Sequence, residues 1–274
     1  MVIALNDLPP LRDVIARHKL AAHKKLGQHF LFDLNLTRKI AAAAGDLEGC
    51  TVYEIGPGPG GLTRALVETN AKKIIAIEKD RRCIEALKDL VDVAKGRLEV
   101  IEGDALRTDL LKLSRHPRAI VANLPYNIGT ELLIKWLRQI DGYRSLTLMF
   151  QAEVADRIAA QPGNKTYGRL SVIAQFCCTV KRAMNIPARA FTPPPKVDSA
   201  VVHLTARNDR PEDVSFEEME KITAAAFGQR RKMLRASLRP LGGEELLRRA
   251  GINPELRAET LSVQQFEELA RCVG

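Results

Sequence analysis

Short, almost uninterrupted apolar runs punctuate the chain at 51–55, 74–77, 98–101, 119–122 and 146–150. Between them apolar residues return every three or four positions, over about 62–69, 80–93, 105–113 and 129–140. The runs have the length of strands buried on both faces, and the spaced pattern is that of helices with one apolar stripe. Strand and helix in alternation predict a parallel sheet covered by helices on both sides, an α/β fold. Two more strands are expected at 170–180 and 199–205. The second follows Phe191-Thr192-Pro193-Pro194-Pro195-Lys196 and so enters from outside the alternating rhythm. Ahead of the first strand, helices are expected at 11–18, just after Pro9-Pro10, and at 35–44, stopping at Gly45. After Thr205 the pattern changes. Asn208-Asp209-Arg210-Pro211 reads as a linker, and everything from Val214 onward reads as helical, with breaks at Gly242-Gly243 and Gly251. The expected organisation is a first domain over 1–206 with a basic N-terminal extension, and a helical domain over 207–274. The latter is too small to stand alone and should pack on the first.

The first strand run leads into Glu54-Ile55-Gly56-Pro57-Gly58-Pro59-Gly60-Gly61, and Leu62 opens a helical pattern. A glycine turn between strand and helix is where open α/β sheets bind nucleotide-like ligands. Glycines at 56, 58 and 60 let the backbone turn sharply and let a ligand approach without meeting a side chain. Two features turn the reading away from a dinucleotide. Glu54 puts an acid at the end of the strand, and Pro57 and Pro59 remove amide donors that a pyrophosphate would use. An acidic, donor-poor loop suits a cationic cofactor. S-adenosylmethionine has that chemistry: a sulfonium, an ammonium and no phosphate. An ordinary glycine-rich turn is the plainer alternative.

Ligands of such sheets sit beyond the carboxyl ends of the strands, so the polar residues there are the candidates. Glu78 ends the second strand and stands where an acid would hold ribose hydroxyls, about 20 residues after the glycine turn; an acid complementing a helix N-terminus is the alternative, which Asp80 fits better. Asp104, after Gly103, is placed either to accept from an adenine amino group or simply to cap a helix. The fourth strand ends in Asn123-Leu124-Pro125-Tyr126. Exocyclic base amines are poor nucleophiles because the nitrogen lone pair is delocalised into the ring. A site that methylates one must hold its N–H groups with acceptors. The Asn123 side-chain carbonyl and the Leu124 backbone carbonyl can be those acceptors, and Tyr126 offers a flat face for stacking. A polar turn with Tyr126 as packing is the alternative. Phe191 is a second candidate stacking wall, although alone it reads as a core aromatic.

Composition narrows the classes. The 274 residues are 46% hydrophobic and 27% charged, enough for a sizeable core. No run reaches the ~18 apolar residues of a membrane span, and Asp7, Pro9, Pro10 and Asp13 interrupt any signal-peptide pattern. Cysteines at 50, 83, 177, 178 and 272 have no metal or disulfide spacing and fit a reduced, cytoplasmic setting. No histidine sits in a metal-ligand pattern, so no metal is expected. The net charge of +9 favours an anionic partner. Gly228 to Arg239 carries Arg230, Arg231, Lys232, Arg235 and Arg239 with no acid, and Met233, Leu234 and Leu238 for a packed side. It reads as a phosphate-contacting helix, with a solvated face as the alternative. Lys24-Lys25 and Lys165 to Arg169 are further basic loops.

Taken together these motifs resemble the bacterial ribosomal RNA adenine N6,N6-dimethyltransferases, which dimethylate two adjacent adenosines near the 3′ end of small-subunit ribosomal RNA. The resemblance runs through Lys24 to Leu31, Glu54 to Thr63, Gly103-Asp104-Ala105, Asn123 to Ile128, Phe191 to Val202 and Phe227 to Leu238. It implies a Rossmann-like methyltransferase sheet of seven strands, the last hairpin antiparallel, with a small C-terminal α-helical domain. By motif position it puts His29, Leu31, Gly56, Glu78, Asp104 and Asn123 on S-adenosylmethionine; Glu54 and Gly58 are cofactor candidates from the loop reading above. The same resemblance puts Asn123, Leu124, Tyr126 and Phe191 around the target adenine; the basic segments make Lys24, Lys25, Arg230, Arg231, Lys232 and Arg235 the candidates for RNA contact. The expected protein is a cytoplasmic monomer acting on small-subunit rRNA within a pre-30S subunit, with no membrane partner. One departure stands out: His29 occupies a position where that family usually has Asn. Three rivals stay open. They are a large-subunit rRNA adenine methyltransferase, a non-catalytic assembly factor that keeps the fold, and an NAD oxidoreductase. The last is disfavoured by Pro57 and Pro59.

Overall fold

The computed structural model describes residues 5–20, 28–229 and 231–273; Lys24, Lys25 and Arg230 lie outside the described residues. Nine strands are present in the described part: β1 (Phe30–Leu31), β2 (Thr51–Ile55), β3 (Lys73–Glu78), β4 (Leu98–Glu102), β5 (Arg118–Asn123), β6 (Ser145–Gln151), β7 (Cys178–Ile186), β8 (Phe191–Thr192) and β9 (Ser199–Ala206). Seven form one sheet in the order β4-β3-β2-β5-β6-β9-β7. From β4 to β6 neighbouring strands are parallel, and β9 joins β6 antiparallel, with Leu148 opposite Val202. The α/β sheet is therefore the one expected. Its middle strands are apolar without alternation because both faces are covered. Val52, Tyr53, Ile74 to Ile77 and Ala119 to Ala122 are all buried.

The chain runs outward from β2 through β3 to β4, then returns to the other side of β2 for β5 and β6. The strand order thus reverses between β2 and β5. Loops leaving those two strands diverge there and open a crevice at their carboxyl ends. Strands β1 and β8 form a separate small antiparallel pair, with Leu31 opposite Phe191.

Helices at Leu11–Arg17, Leu34–Ala42, Gly61–Val67 and Gly129–Leu137 match the expected positions. Asp33 caps the second, its carboxylate accepting from the Asn35 amide at 2.9 Å. Other expectations change. The pattern over 80–93 is two short helices, Arg81–Ala86 and Lys88–Val93. Residues 105–113 are turns followed by a single 3₁₀ turn at Leu110–Lys112. The run at 170–180 is mostly helix, Arg169–Cys177, and only then β7. Its apolar residues are buried nearly all round, and a helix buried on every side loses the 3.6-residue stripe that would mark it.

Packing divides the chain into Met1–Ala155 with Lys181–Thr205, and Asp156–Val180 with Ala206–Gly274. The expected boundary at 206 leaves 156–180 in the sheet domain, whereas packing groups those residues with the helical tail. In that helical unit Phe227 stacks on Phe266 at 5.7 Å and meets the edge of Tyr167 at 6.2 Å. Two of its helices, Phe216–Gly228 and Val263–Arg271, begin with reciprocal Ser–Glu and Ser–Gln caps at Ser215/Glu218 and Ser262/Gln265. The basic segment is not one helix. The helix ends at Gly228, Arg231 and Lys232 lie in an irregular stretch, and a four-residue helix, Leu234–Ser237, follows. Arg231, Lys232 and Arg235 are exposed, and Leu234 and Leu238 are buried, but Met233 is 40% exposed and does not join the packed side.

Candidate active site

A cavity of ≈ 280 Å³ opens at the crevice where the strand order reverses. Its walls come from five places far apart in sequence: Gln28 to Leu31, the Glu54 to Leu62 turn, Ile77 to Lys79, Gly103 to Leu106, and Asn123 to Ile128. His29, Leu31, Glu54, Gly56, Gly58, Glu78, Asp104, Asn123, Leu124 and Tyr126 are thereby brought together. Phe191 does not line the cavity. It is 2% exposed in the hydrophobic core, held there by the pairing of β8 with β1. The basic residues Arg231, Lys232 and Arg235 belong to the helical unit.

The glycine turn is left-handed at alternate residues, with φ of 66° at Gly56, 56° at Gly58 and 94° at Gly60. Side-chain-bearing residues rarely adopt such angles, which explains the G-P-G-P-G spacing. All three glycine amides are satisfied inside the protein. Gly56 N donates to the Ile77 carbonyl at 2.9 Å, Gly58 N to Glu78 Oε2 at 3.1 Å, and Gly60 N to the Pro57 carbonyl at 3.0 Å. With prolines at 57 and 59, the turn keeps no amide from these five positions for a phosphate. This is the physical form of the donor-poor loop read from the sequence.

Gly61 is a site residue that sequence reasoning passed over. A Cβ there would run into the backbone carbonyl oxygen of Leu31. The helix start and β1 touch backbone to backbone, and Leu31 is a cavity wall. Gly61→Ala is expected to push Leu31 outward, costing about 1–3 kcal/mol of stability and weakening cofactor binding at least tenfold. Thermal melts and calorimetry check this; a variant with native affinity would show that the contact relaxes harmlessly.

Three acids border the cavity in different states. Glu54 is 1% exposed; its Oε2 and the neighbouring Thr63 Oγ1 complete no hydrogen bond of good geometry. Burial raises its pKa to about 8, against a smaller opposing pull from the Thr63 hydroxyl and with Glu78 adding repulsion. Glu78 is also buried. Its Oε1 accepts from the amides of Lys79 at 2.7 Å and Asp80 at 2.8 Å, and Oε2 from Gly58. Burial outweighs these donors and leaves its pKa above the ordinary carboxylate value. Asp104 is more open. Its Oδ2 pairs with Lys79 Nζ at 2.9 Å and its Oδ1 accepts from Leu106 N at 3.0 Å. The Lys79 ammonium holds its pKa below the usual range. Asp104 therefore caps a turn, where no helix follows, and lines the cavity.

On the other side, the Asn123 Nδ2 donates to the His29 carbonyl at 3.2 Å. Only the nitrogen can donate to a carbonyl, so Oδ1 is the end left as an acceptor. The Tyr126 hydroxyl meets Ser199 Oγ at 2.6 Å, and burial raises its pKa. Its ring stacks on His29, centroids 5.4 Å apart.

Lys135 was not signalled by any motif. It lies on Gly129–Leu137, and its Nζ donates to the carbonyls of Ala105 and Leu106 at 2.9 Å and Thr108 at 2.7 Å. Desolvation pulls its pKa down, yet three carbonyls oriented on one ammonium hold the wall that carries Ala105 and Leu106. Lys135→Met should leave those carbonyls without their donor at a cost of about 1–3 kcal/mol. Cofactor affinity should fall severalfold with the turnover rate nearly kept. A fall in turnover with unchanged affinity would move Lys135 out of this role.

Among the described residues no helix is long and apolar enough to cross a membrane, and no cluster of three His, Cys, Asp or Glu could hold a metal. The family model described as ribosomal RNA adenine dimethylase matches residues 19–273. A ribosomal RNA small subunit methyltransferase A of Rhizobium etli (strain CIAT 652) is 58% identical over 271 residues, 97% of this chain and 98% of the relative. A protein of the same name from Paramagnetospirillum magneticum is 57% identical over 98% of this chain and 96% of the relative. Among solved structures, a dimethyladenosine transferase from Plasmodium falciparum superposes with a TM-score of 0.77 and 29% identity, covering 88% of this chain and 96% of its own. The 23S rRNA methyltransferase ErmE gives 0.70 and 25%, covering 89% and 99%. With a parallel-sheet crevice of this construction and similarity over almost its whole length, the chain belongs to the ribosomal RNA adenine dimethylase family.

Proposed function

We propose that this chain dimethylates the N6 amines of two adjacent adenosines near the 3′ end of small-subunit rRNA, using S-adenosylmethionine, in the cytoplasm and on a pre-30S subunit. The observation that carries the reading is the shared cavity. Three acids and a phosphate-averse glycine turn form one side, and Asn123, Leu124 and Tyr126 form the other. The buried Glu54 carboxyl, whose Oε2 lacks a hydrogen-bond partner, suits a ligand bearing a cation or N–H donors. Glu78 suits ribose hydroxyls, and Asp104 suits an adenine amine.

Bound along these acids, S-adenosylmethionine would supply an electrophilic methyl on a positively charged sulfur that leaves as a neutral thioether. The work left to the protein is positioning and electrostatics. Asn123 Oδ1 and the Leu124 carbonyl accept the two N6 hydrogens and hold the amine pyramidal, so its lone pair is turned out of the ring. Tyr126 carries the base by stacking. In that transfer an N–C bond would form as the C–S bond broke, and the surplus proton on nitrogen would pass to solvent. The exposed Arg231, Lys232 and Arg235, with Arg230, Lys24 and Lys25, supply phosphate contacts, and the chain acts as a monomer.

The test is transfer of labelled methyl from S-adenosylmethionine to unmethylated small subunits and, in parallel, to large-subunit RNA, followed by mapping of the modified base. Dimethyladenosine near the 3′ end of small-subunit RNA is the expected product. Label only in large-subunit RNA would replace the substrate while keeping the chemistry, a reading that the likeness to a 23S rRNA methyltransferase keeps in view. No label with cofactor still bound would favour a non-catalytic assembly role.

A further inference from the structure

We infer that Ser199 is a positioning residue for methyl transfer: its hydroxyl fixes the tilt of the Tyr126 ring in the slot that takes the target base. The inference rests on the base-methylating reading above. It starts from a hydroxyl that stacking does not need. A phenylalanine ring would offer a base the same flat face, and a hydroxyl taken out of water costs free energy unless it finds a partner. The Tyr126 hydroxyl has such a partner in Ser199 Oγ, at 2.6 Å.

Ser199 is fully buried and opens β9. Its neighbours hold it in place. It pairs opposite Gln151 of β6. The carbonyl of Asp198, just before it, accepts from the Ala152 amide at 2.9 Å, and the Asp198 carboxylate accepts from the Ala188 amide at 2.8 Å. The other end of the Tyr126 side chain is also anchored. Tyr126 sits in a turn closed by the Ile128 amide, which donates to the Pro125 carbonyl at 3.2 Å. Pro125 stiffens the backbone just ahead of it. The turn therefore sets where the side chain begins, and Ser199 sets where its tip lies. The strand that delivers Ser199 is the one that joins β6 antiparallel, from outside the alternating rhythm. Its first residue meets Tyr126 across 73 positions of sequence.

The consequence falls on the chemistry more than on binding. Stacking tolerates a ring that rocks, because any base presents a flat face to it. In-line transfer does not. The amine must stay within reach of Asn123 Oδ1 and the Leu124 carbonyl while it is aimed at the methyl group. Without the Ser199 hydroxyl the base should still bind, but it should spend less time in the reactive pose.

Ser199→Ala, Tyr126→Phe and the double variant test this in steady-state methyl transfer to unmethylated small subunits, with calorimetric titration of S-adenosylmethionine alongside. Ser199→Ala should lower kcat about three- to tenfold, the range set by one neutral hydrogen bond. The subunit KM and the cofactor affinity should stay within about twofold. Tyr126→Phe keeps the ring, removes the same bond and should show the same split. The double variant should be no slower than the slower single variant, because the bond can be lost only once. Thermal melts show which variants fold, and Tyr126→Phe decides alone if Ser199→Ala does not. A native kcat in either folded single variant overturns the inference. So do losses that multiply in the double variant, or a loss confined to subunit KM or cofactor affinity. Absence of transfer by the unaltered chain would overturn the proposed function, and this inference with it.

Discussion

Changing Asn123 to Ala is expected to lower methyl transfer by about 10²–10³-fold, the loss that follows removal of one oriented polar group at a reacting centre. The side chain has two separable jobs. Its Nδ2 holds the His29 carbonyl at 3.2 Å, and this orients Oδ1 as the remaining acceptor for the incoming amine. Alanine removes both. The amine then keeps its lone pair in the ring, and the barrier rises although the cofactor side of the cavity is intact. Cofactor affinity should therefore fall only severalfold. Asn123→Asp makes the distinction sharper. It restores an acceptor but cannot donate to the His29 carbonyl, so it should recover little activity. Single-turnover transfer with calorimetric cofactor binding checks both variants, and near-native turnover in Asn123→Ala would remove Asn123 from the chemistry.

Cofactor binding should also release a proton, and here the sign can be worked out from Glu54. Its pKa is about 8 in the folded protein against 4.5 for an ordinary glutamate. Between those values the folded chain holds a proton that the unfolded chain has lost, so Glu54 makes the free protein less stable as pH rises from 4.5 towards 8. A cation placed at the unpartnered Oε2 favours the ionised form. Binding below pH 8 then expels the proton. Affinity gains up to about tenfold per pH unit on the way up to pH 8 and levels above it. Across two units this reaches about a hundredfold. Calorimetry at pH 7 in buffers of different ionisation enthalpy should record release approaching one proton. Glu54→Gln should abolish that release and bind more weakly. A native protein that binds cofactor without releasing protons would mean that Glu54 stays neutral and serves the turn instead.

Much of this site is legible in the sequence because its signals are local. A glycine needed at φ of 66°, 56° and 94° can be replaced only with strain, so the spacing of Gly56, Gly58 and Gly60 announces the turn. An acid at the end of a parallel strand lands at the ligand edge of the sheet, which locates Glu54, Glu78 and Asp104 together. Other residues send no local signal. Lys135 looks like any helix lysine, and Gly61 like the second of a glycine pair. Phe191 reads equally as a stacking wall or a core aromatic, and the pairing of β8 with β1 buries it. The segment 169–177 reads as a strand because residues buried on all sides carry no periodicity. The basic segment after Gly228 reads as one helix, yet the helix ends at Gly228 and Met233 is left exposed.

The five parallel strands β2 to β6, the position of the glycine turn and the residues at the strand ends were determined by the sequence alone. Each depends on neighbours a few positions away, through periodicity, backbone angles and the direction of a strand. Tertiary structure decided the protonation of Glu54, the clamp of Lys135 on the 105–108 carbonyls, the grouping of 156–180 with the helical tail, and the place of the His29 ring against Tyr126. Those follow from desolvation and from contacts between segments as much as 164 positions apart, as in His29 with Pro193, and no local pattern encodes them.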